Sequence, residues 1–317
     1  MWSVPPPTQP AQPSRLHDDE VAVGVDDVRR LVAAQLPHLA RLPVAPLPEA
    51  GTDHRLFRLG DGLVARMPKV AWAAAQAESD ARWLPRLAPH VPLAVPAPVA
   101  LGEPDDAYPF RWSVVPWLPG RAAGDPLAGD PLGFDAAAGA AALGAFVRAL
   151  RAVDPTGGPV KDGTGRGVPL ARLDDAVRAA VAASGDRIDG RAALRAWDRA
   201  LAAPPSAAPG WIHGDLMPGN LLAHRGRLAA VIDWGALGVG DPAADLAPAW
   251  WLFDGAARRA FREAATEGLP DPEAAWGRAR GWVLVQAVIA LPYYWDRWPA
   301  FARASQRRVA TVLADAG

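Results

Sequence analysis

Trp211-Ile212-His213-Gly214-Asp215-Leu216-Met217-Pro218-Gly219-Asn220, followed by Val231-Ile232-Asp233-Trp234-Gly235, is the part of the 317-residue chain whose reading decides the rest. Asn220 stands five positions after Asp215, and Asp233 eighteen positions after it. Apolar residues run into both acids: Trp211-Ile212 before His213-Gly214-Asp215, and Ala229-Ala230-Val231-Ile232 before Asp233. Each run predicts a short buried strand that ends by presenting a polar side chain at the edge of a cleft. Asn220-Leu221-Leu222-Ala223 and the run from Arg227 to Asp233 flank His224-Arg225-Gly226 and read as a hairpin. Asn220 then begins one strand and Asp233 ends its neighbour, which brings the two together.

Two carboxylates and an amide at these spacings suit phosphoryl transfer. A nucleoside triphosphate concentrates negative charge, and a divalent ion must be held against it. Carboxylate and amide oxygens suit magnesium, which needs few protein ligands because phosphates and waters fill the rest. A separate carboxylate orients the attacking hydroxyl and accepts its proton. Protein kinases use H-R-D-x-x-x-x-N and D-F-G for these tasks. Asp215-x-x-x-x-Asn220 keeps the same step, and Asp233-Trp234-Gly235 takes the place of D-F-G. A plainer reading makes Asp215 and Asp233 loop caps and His213 a core histidine; the Asn and the second Asp count against it. A metal hydrolase built on His213, Asp215, His224 and Asp233 is weaker, because its histidines lack a close zinc-type spacing.

His213-Gly214-Asp215-Leu216-Met217-Pro218-Gly219-Asn220 with Ile232-Asp233-Trp234-Gly235 resembles the aminoglycoside phosphotransferase family, kinase-like enzymes that act on small-molecule hydroxyls. The resemblance implies an α+β, bilobal protein-kinase-like fold: a small N-terminal lobe with an antiparallel sheet and a larger, mainly helical C-terminal lobe. It implies Asp215 as catalytic base, Asn220 and Asp233 as magnesium ligands, and ATP or GTP as co-substrate with a small-molecule alcohol as acceptor.

Half of the residues are hydrophobic, enough for a large core and about two domains or lobes. The net charge of −1 favours neither nucleic acid nor an anionic membrane as partner. The chain has no cysteine, so disulfides, thiol nucleophiles and cysteine zinc sites are excluded. Met1-Trp2-Ser3-Val4-Pro5-Pro6-Pro7 has no signal-peptide pattern, and the apolar tract Val283 to Trp295 is too short for a bilayer. A soluble cytoplasmic protein is expected, and oligomeric state stays open.

Residues 1–20 read as a disordered Pro-rich tail, 21–115 as a nucleotide-binding lobe, 116–120 as a hinge and 121–317 as a helical lobe with catalytic loop and acceptor site. A helix begins near Asp26, placed to cap it. Leu56 to Leu59 and Leu63 to Met67 form a hairpin across Gly60-Asp61-Gly62. In a kinase-like lobe the preceding loop, Gly51-Thr52-Asp53-His54, covers the phosphates, although it matches G-x-G-x-x-G poorly. Leu63-Val64-Ala65-Arg66 follows V-A-I-K, which puts Arg66 where the phosphate-pairing cation belongs. Arg is bulkier and planar, yet it binds phosphate bidentately. Lys69 competes but faces the other side of a strand. On a helix from about Trp72 to Leu87, Glu78 lies where the family's Glu pairs with that cation. Pro116-Trp117-Leu118-Pro119-Gly120 resembles the hinge that reads a purine: the Pro116 carbonyl accepts and the Leu118 N–H donates. The segment up to Gly167 reads as flexible.

Beyond the catalytic stretch, Asp241 caps a helix with Pro242 at its first position, and Asp245 resembles the family's anchor for the catalytic loop. Helices fit Phe261 to Glu267, Pro272 to Leu291 and Pro299 to Ala314. The last third carries acids (Asp254, Glu263, Glu267, Asp271, Glu273, Asp296) suited to a polycationic aminoglycoside. Its aromatics (Trp250, Trp251, Trp276, Trp282, Tyr293, Tyr294, Trp295, Trp298) suit an apolar macrolide or a nucleoside. Both sets also fit a solvated face and a helical core. An antibiotic acceptor, and hence a role in resistance, comes from the resemblance alone. Choline, homoserine or sugar kinases and a nucleotide-binding pseudokinase remain alternatives.

Overall fold

The computed structural model describes residues 20–47 and 53–315. The expected tail, apart from Glu20, and Gly51-Thr52 of the expected phosphate loop lie outside them. The described chain divides into two compact units. One is the chain up to Arg82 with Ala97–Trp117, and the other is Trp83–Pro96 with the chain from Leu118 onward.

The first unit contains helix α1 (Val25–Gln35), strands β1 (Val44–Pro46), β2 (His54–Leu59) and β3 (Leu63–Pro68), the start of helix α2 (Gln76–Leu87), and strands β4 (Ala100–Gly102) and β5 (Trp112–Pro116). The strands make one antiparallel sheet in the order β1-β2-β3-β5-β4. Alternation in β2 sends Phe57 and Leu59 into the core, and His54, on the other face, is also buried. Gly60, at φ +55°, turns the chain into β3. Val28, Leu31 and Val32 of α1 pack with Phe57, Leu59, Met67, Trp112 and Val114 in a hydrophobic core. The N-cap of α1 is Gly24 rather than the expected Asp26, and Asp27 in the first turn reaches back to accept from Gly24 N at 2.9 Å. Asp26 instead pairs with Arg29 on the helix surface.

The second unit adds β6 (Arg121–Ala122), helices α3 (Ala136–Ala152), α4 (Asp174–Ser184) and α5 (Gly190–Ala202), then strands β7 (Gly210–Ile212), β8 (Leu221–His224), β9 (Arg227–Val231) and β10 (Gly238–Gly240). Helices α6 (Gly255–Thr266), α7 (Pro272–Val288), α8 (Leu291–Tyr294) and α9 (Pro299–Asp315) follow. Side chains of Asp135, Asp189 and Asp271 cap α3, α5 and α7, each accepting a backbone N–H at 2.8 or 2.9 Å. Helix α6 starts at Gly255, six residues earlier than Phe261, because its first turn carries alanines and arginines rather than an apolar stripe. Large aromatics fill the core: Phe146, Trp197, Trp234, Trp250, Trp251, Phe261 and Trp282 are fully buried. Among the described residues no helix is long and apolar enough to cross a membrane.

Two small sheets carry the decisive stretch. Strand β7 pairs antiparallel with β10, Ile212 opposite Gly238. Strands β8 and β9 form the expected hairpin, turned by Arg225 and Gly226 at φ +50° and +74°, with β6 on its other edge. Positive φ at both central residues gives the tight turn that matches strand twist.

Candidate active site

The His213–Asn220 stretch leaves β7 as buried chain and is held by one carboxylate. Asp245 lies in a 3-10 helix (Pro242–Trp250) and is 2% exposed. Its Oδ2 accepts from His213 N and its Oδ1 from Gly214 N, both at 2.7 Å. This is the anchoring expected of Asp245. Burial pushes its carboxyl up to about 6, with the Asp215 charge adding to the rise; the two N–H donors and the Lys161 ammonium oppose it. Gly214 sits at φ +79°, and a Cβ there would come within 2.9 Å of Ala236 O, so the turn into Asp215 requires glycine.

His213 is fully buried against Trp234, ring centroids 4.7 Å apart. Its Nδ1 accepts from Asp215 N at 3.1 Å and its Nε2 lies 3.1 Å from Ile232 O, which defines a neutral ring protonated at Nε2. Burial lowers its imidazole below the ordinary value, in keeping with neutrality. His213 thus ties the Asp215 loop to the end of the Asp233 strand.

Asp215, Asn220 and Asp233 come together in this unit. Asn220 ends a 3-10 turn (Pro218–Asn220) rather than starting β8. Its Nδ2 donates to Asp215 O at 2.8 Å and to Asp215 Oδ2 at 3.2 Å, while its own carbonyl accepts from Ile232 N at 2.9 Å. Asp233 lies two residues past β9 at φ +62°, a conformation that Asp tolerates and most residues do not. Trp251, whose Nε1 donates to Leu216 O at 3.1 Å, supports the loop from beneath.

The donor chemistry fits magnesium. With Nδ2 committed to Asp215, the Asn220 amide oxygen is left as an acceptor. The Asp233 carboxylate has no hydrogen-bond or ion-pair partner among the described residues. One carboxylate and one amide are a sparse set, and among the described residues no three His, Cys, Asp or Glu side chains converge on a metal position. Magnesium bound with phosphates needs no such cage.

One further side chain reaches the Asp215 carboxylate. Arg166 Nη1 donates to Gly214 O at 3.1 Å and forms an ion pair with Asp215 Oδ1. It sits in Gly163-Thr164-Gly165-Arg166-Gly167, whose glycines read as flexible, so nothing in the sequence signals this contact.

Arg66, Glu78 and Pro116 lie in the first unit, and Leu118 in the second. Glu78 does not meet Arg66. The partner is Asp80, with Arg66 Nη1 to Asp80 Oδ2 at 2.8 Å and the Asp80 side chain fully buried. Glu78 points outward to Arg111 at 2.9 Å. Helical phase explains the exchange: Gln76, Ala77, Asp80, Trp83, Leu84 and Leu87 make the buried stripe of α2, and Asp80 lies inside it. Lys69 pairs with Glu20 at 3.5 Å. Trp117 N donates to Gly62 O at 2.8 Å, which makes Leu63 and Pro116 a non-hydrogen-bonded pair and turns the Pro116 carbonyl away from β3. Leu118 N–H has no acceptor among the described residues.

Of the aromatics in the last third, Trp250, Trp251, Trp276 and Trp282 are core. Tyr293, Tyr294, Trp298 and Phe301 form a partly exposed cluster with neighbouring ring centroids 4.9 to 5.9 Å apart. Among the acids, Glu267 pairs with Arg148, Glu273 with Arg262, and Asp271 caps α7.

A profile of the phosphotransferase enzyme family, APH, matches residues 44–282. Sequence comparison with curated proteins finds no match. Solved structures share the fold. The GDP complex of wild-type aminoglycoside 2′-phosphotransferase-IIIa is 19% identical, over 93% of this chain and 100% of that one, with a TM-score of 0.66. Macrolide 2′-phosphotransferase MphH from Brachybacterium faecium, as apoenzyme, is 25% identical over 90% and 97% of the two chains, TM-score 0.59. Macrolide 2′-phosphotransferase type I is 22% identical over 90% and 97%, TM-score 0.61. The fold is thus α+β and kinase-like, a five-stranded antiparallel sheet with a mostly helical remainder. The chain belongs to the phosphotransferase enzyme family. It is a kinase-type O-phosphotransferase that acts on a small molecule.

Proposed function

We propose that the chain moves the γ-phosphate of ATP or GTP to a hydroxyl of an antibiotic of aminoglycoside or macrolide type. The observation that carries this reading is the hydrogen-bonded group of Asp215 and Asn220, with Asp233 brought beside it by the Ile232–Asn220 bond. Asp215 orients the acceptor hydroxyl and takes its proton as the oxygen attacks phosphorus. Asn220 Oδ1 and the Asp233 carboxylate would hold magnesium, which would supply positive charge to the nucleotide phosphates. Arg66, kept in place by Asp80, pairs with those phosphates. The Pro116 carbonyl and the Leu118 N–H offer one acceptor and one donor to a purine edge. Most of the rate enhancement comes from positioning and fixed charge.

Support for the nucleotide and acceptor classes comes from similar folds solved with GDP, with ADP, with kanamycin and with streptomycin and ATP. Three of the six acids in the last third are engaged by arginines or a helix end, while the aromatic cluster around Tyr294 keeps exposed surface. That contrast favours an acceptor with apolar area, as a macrolide has, over a polycation. A kinase for choline, homoserine or a sugar alcohol is the alternative.

Nucleotide consumption by the purified chain decides among these. ATP and GTP, each with and without magnesium, are offered with kanamycin, a macrolide, choline, homoserine and a sugar alcohol. Magnesium-dependent phosphorylation of one antibiotic class is expected. Turnover confined to a metabolic alcohol would overturn the antibiotic assignment. Tight nucleotide binding without transfer to any acceptor would favour a regulatory pseudokinase.

A further inference from the structure

Gly163-Thr164-Gly165-Arg166-Gly167 is built to a purpose that its composition hides. Lys161 just before it is tied to β10, the partner of β7, and Gly167 at its end is tied to the residue that follows β10. Lys161 N donates to Val239 O at 2.9 Å, and Asp241 N donates to Gly167 O at 2.7 Å. Lys161 Nζ reaches Ala236 O at 2.9 Å. Gly167, at φ +88°, has no room for a side chain, since a Cβ would lie 2.3 Å from Ile212 Cδ1. A Cβ on Gly240 would lie 2.5 Å from Gly167 O. Arg166 is therefore delivered by pinned backbone, one residue before the closest of these contacts.

Its guanidinium meets two parts of the catalytic loop, Gly214 O and Asp215 Oδ1. The other Asp215 oxygen receives Asn220 Nδ2. Both oxygens of the proposed base are thus engaged before an acceptor arrives, and one must be released for a hydroxyl to bind. Asn220 holds Asp215 by its carbonyl as well as its carboxylate and is fixed by the hairpin. Arg166 is the movable partner: its side chain is 36% exposed and that of Asp215 25%. Pairs this open to solvent contribute little to stability, so the fold does not depend on this one.

We propose that Arg166 is a further catalytic residue, which occupies Asp215 Oδ1 in the free enzyme and moves to the transferring phosphoryl group when the acceptor hydroxyl takes its place. This rests on Asp215 acting as base. In the step, the acceptor oxygen forms the new bond to Pγ and its proton passes to Asp215. The bond from Pγ to the bridging oxygen breaks, and its electron pair leaves on the nucleoside diphosphate. Arg166 gains and loses no proton; it places positive charge on the equatorial oxygens, where a planar two-pronged donor fits.

The test compares R166A, R166K and D215N with the parent chain. Probes are magnesium with ATP or GTP, and kanamycin, a macrolide or water as acceptor. R166A is expected to lose on the order of 10²–10³-fold in kcat, the size found when one charge-stabilising donor is removed. Nucleotide KM should move little, guanidinium ion should restore part of the rate, and R166K should fall between. Calorimetry gives a second readout. Magnesium–ADP should bind R166A as it binds the parent, while the complex of magnesium–ADP with aluminium fluoride, which imitates the transferring group, should weaken about tenfold or more. Parent kcat in R166A overturns the proposal. So does loss of rate without guanidinium rescue and with both complexes weakened alike, which marks a structural role. If the parent transfers phosphate to none of the probes, the calorimetry alone decides. D215N with parent turnover would instead remove Asp215 as base, a failure distinct from that of Arg166.

Discussion

Two arginine–carboxylate pairs in this protein have opposite settings. Arg66 and Asp80 form theirs in the interior, with the Asp80 carboxylate wholly out of solvent. Arg166 and Asp215 form theirs at an open edge, where both side chains keep a quarter or more of their exposure. A buried carboxylate must keep its partner, because losing it strands a charge in low dielectric. An open pair exchanges its partner at little cost. Asp80 is thus suited to holding a cation in one place, and Asp215 to releasing one cation so that a substrate hydroxyl can bind.

Removing the buried acid should have the largest effect on the fold. D80N is expected to lower stability by about 3–5 kcal/mol, as for other buried pairs broken from one side. E78Q, at the residue the kinase pattern would select, should change it by less than about 1 kcal/mol, because Glu78 meets Arg111 in solvent. Denaturant unfolding of the two variants checks the contrast, and equal losses would break it.

The next effect belongs to Asp245, which anchors the loop beneath the open pair. Its carboxyl titrates near 3.8 in the unfolded chain and at about 6 in the fold. The unfolded chain therefore ionises first as pH rises from about 4 to about 6, and this group's share of stability falls across that window. The difference of about two pKa units corresponds to about 3 kcal/mol. Unfolding free energy measured from pH 4 to 7 should lose this slope in D245N; an unchanged slope would assign it to other groups. Below that in size is G214A, expected to destabilise by about 1–3 kcal/mol through its positive φ and the approach to Ala236 O.

The parts of the site that lie close in sequence were legible. The β8–β9 hairpin brings Asn220 and Asp233 together from spacing alone, and the motif step from Asp215 to Asn220 adds the third residue. Asp245 was recognisable as an anchor through the family resemblance, which matches it to an acid that holds the loop; the Asp241-Pro242 start only placed it on a helix. The pairing of Arg66 was misplaced for a readable reason: Asp80 interrupts the apolar stripe of α2, and a charge inside such a stripe needs a buried partner. Arg166 was hidden, because its loop is ordered by hydrogen bonds from Lys161 and Asp241 to residues far along the chain. Glycine-rich composition carries no trace of that. The short strands β6 and β10 were missed for the same reason, as two- and three-residue strands are defined by their partners rather than by their own pattern.

Asp215 as base is tested most directly by single-turnover transfer of labelled γ-phosphate, comparing D215N with the parent chain beside magnesium–nucleotide affinity. A loss on the order of 10²–10⁴-fold in the transfer rate with unchanged affinity is expected of a removed general base. Transfer by D215N at the parent rate would contradict it.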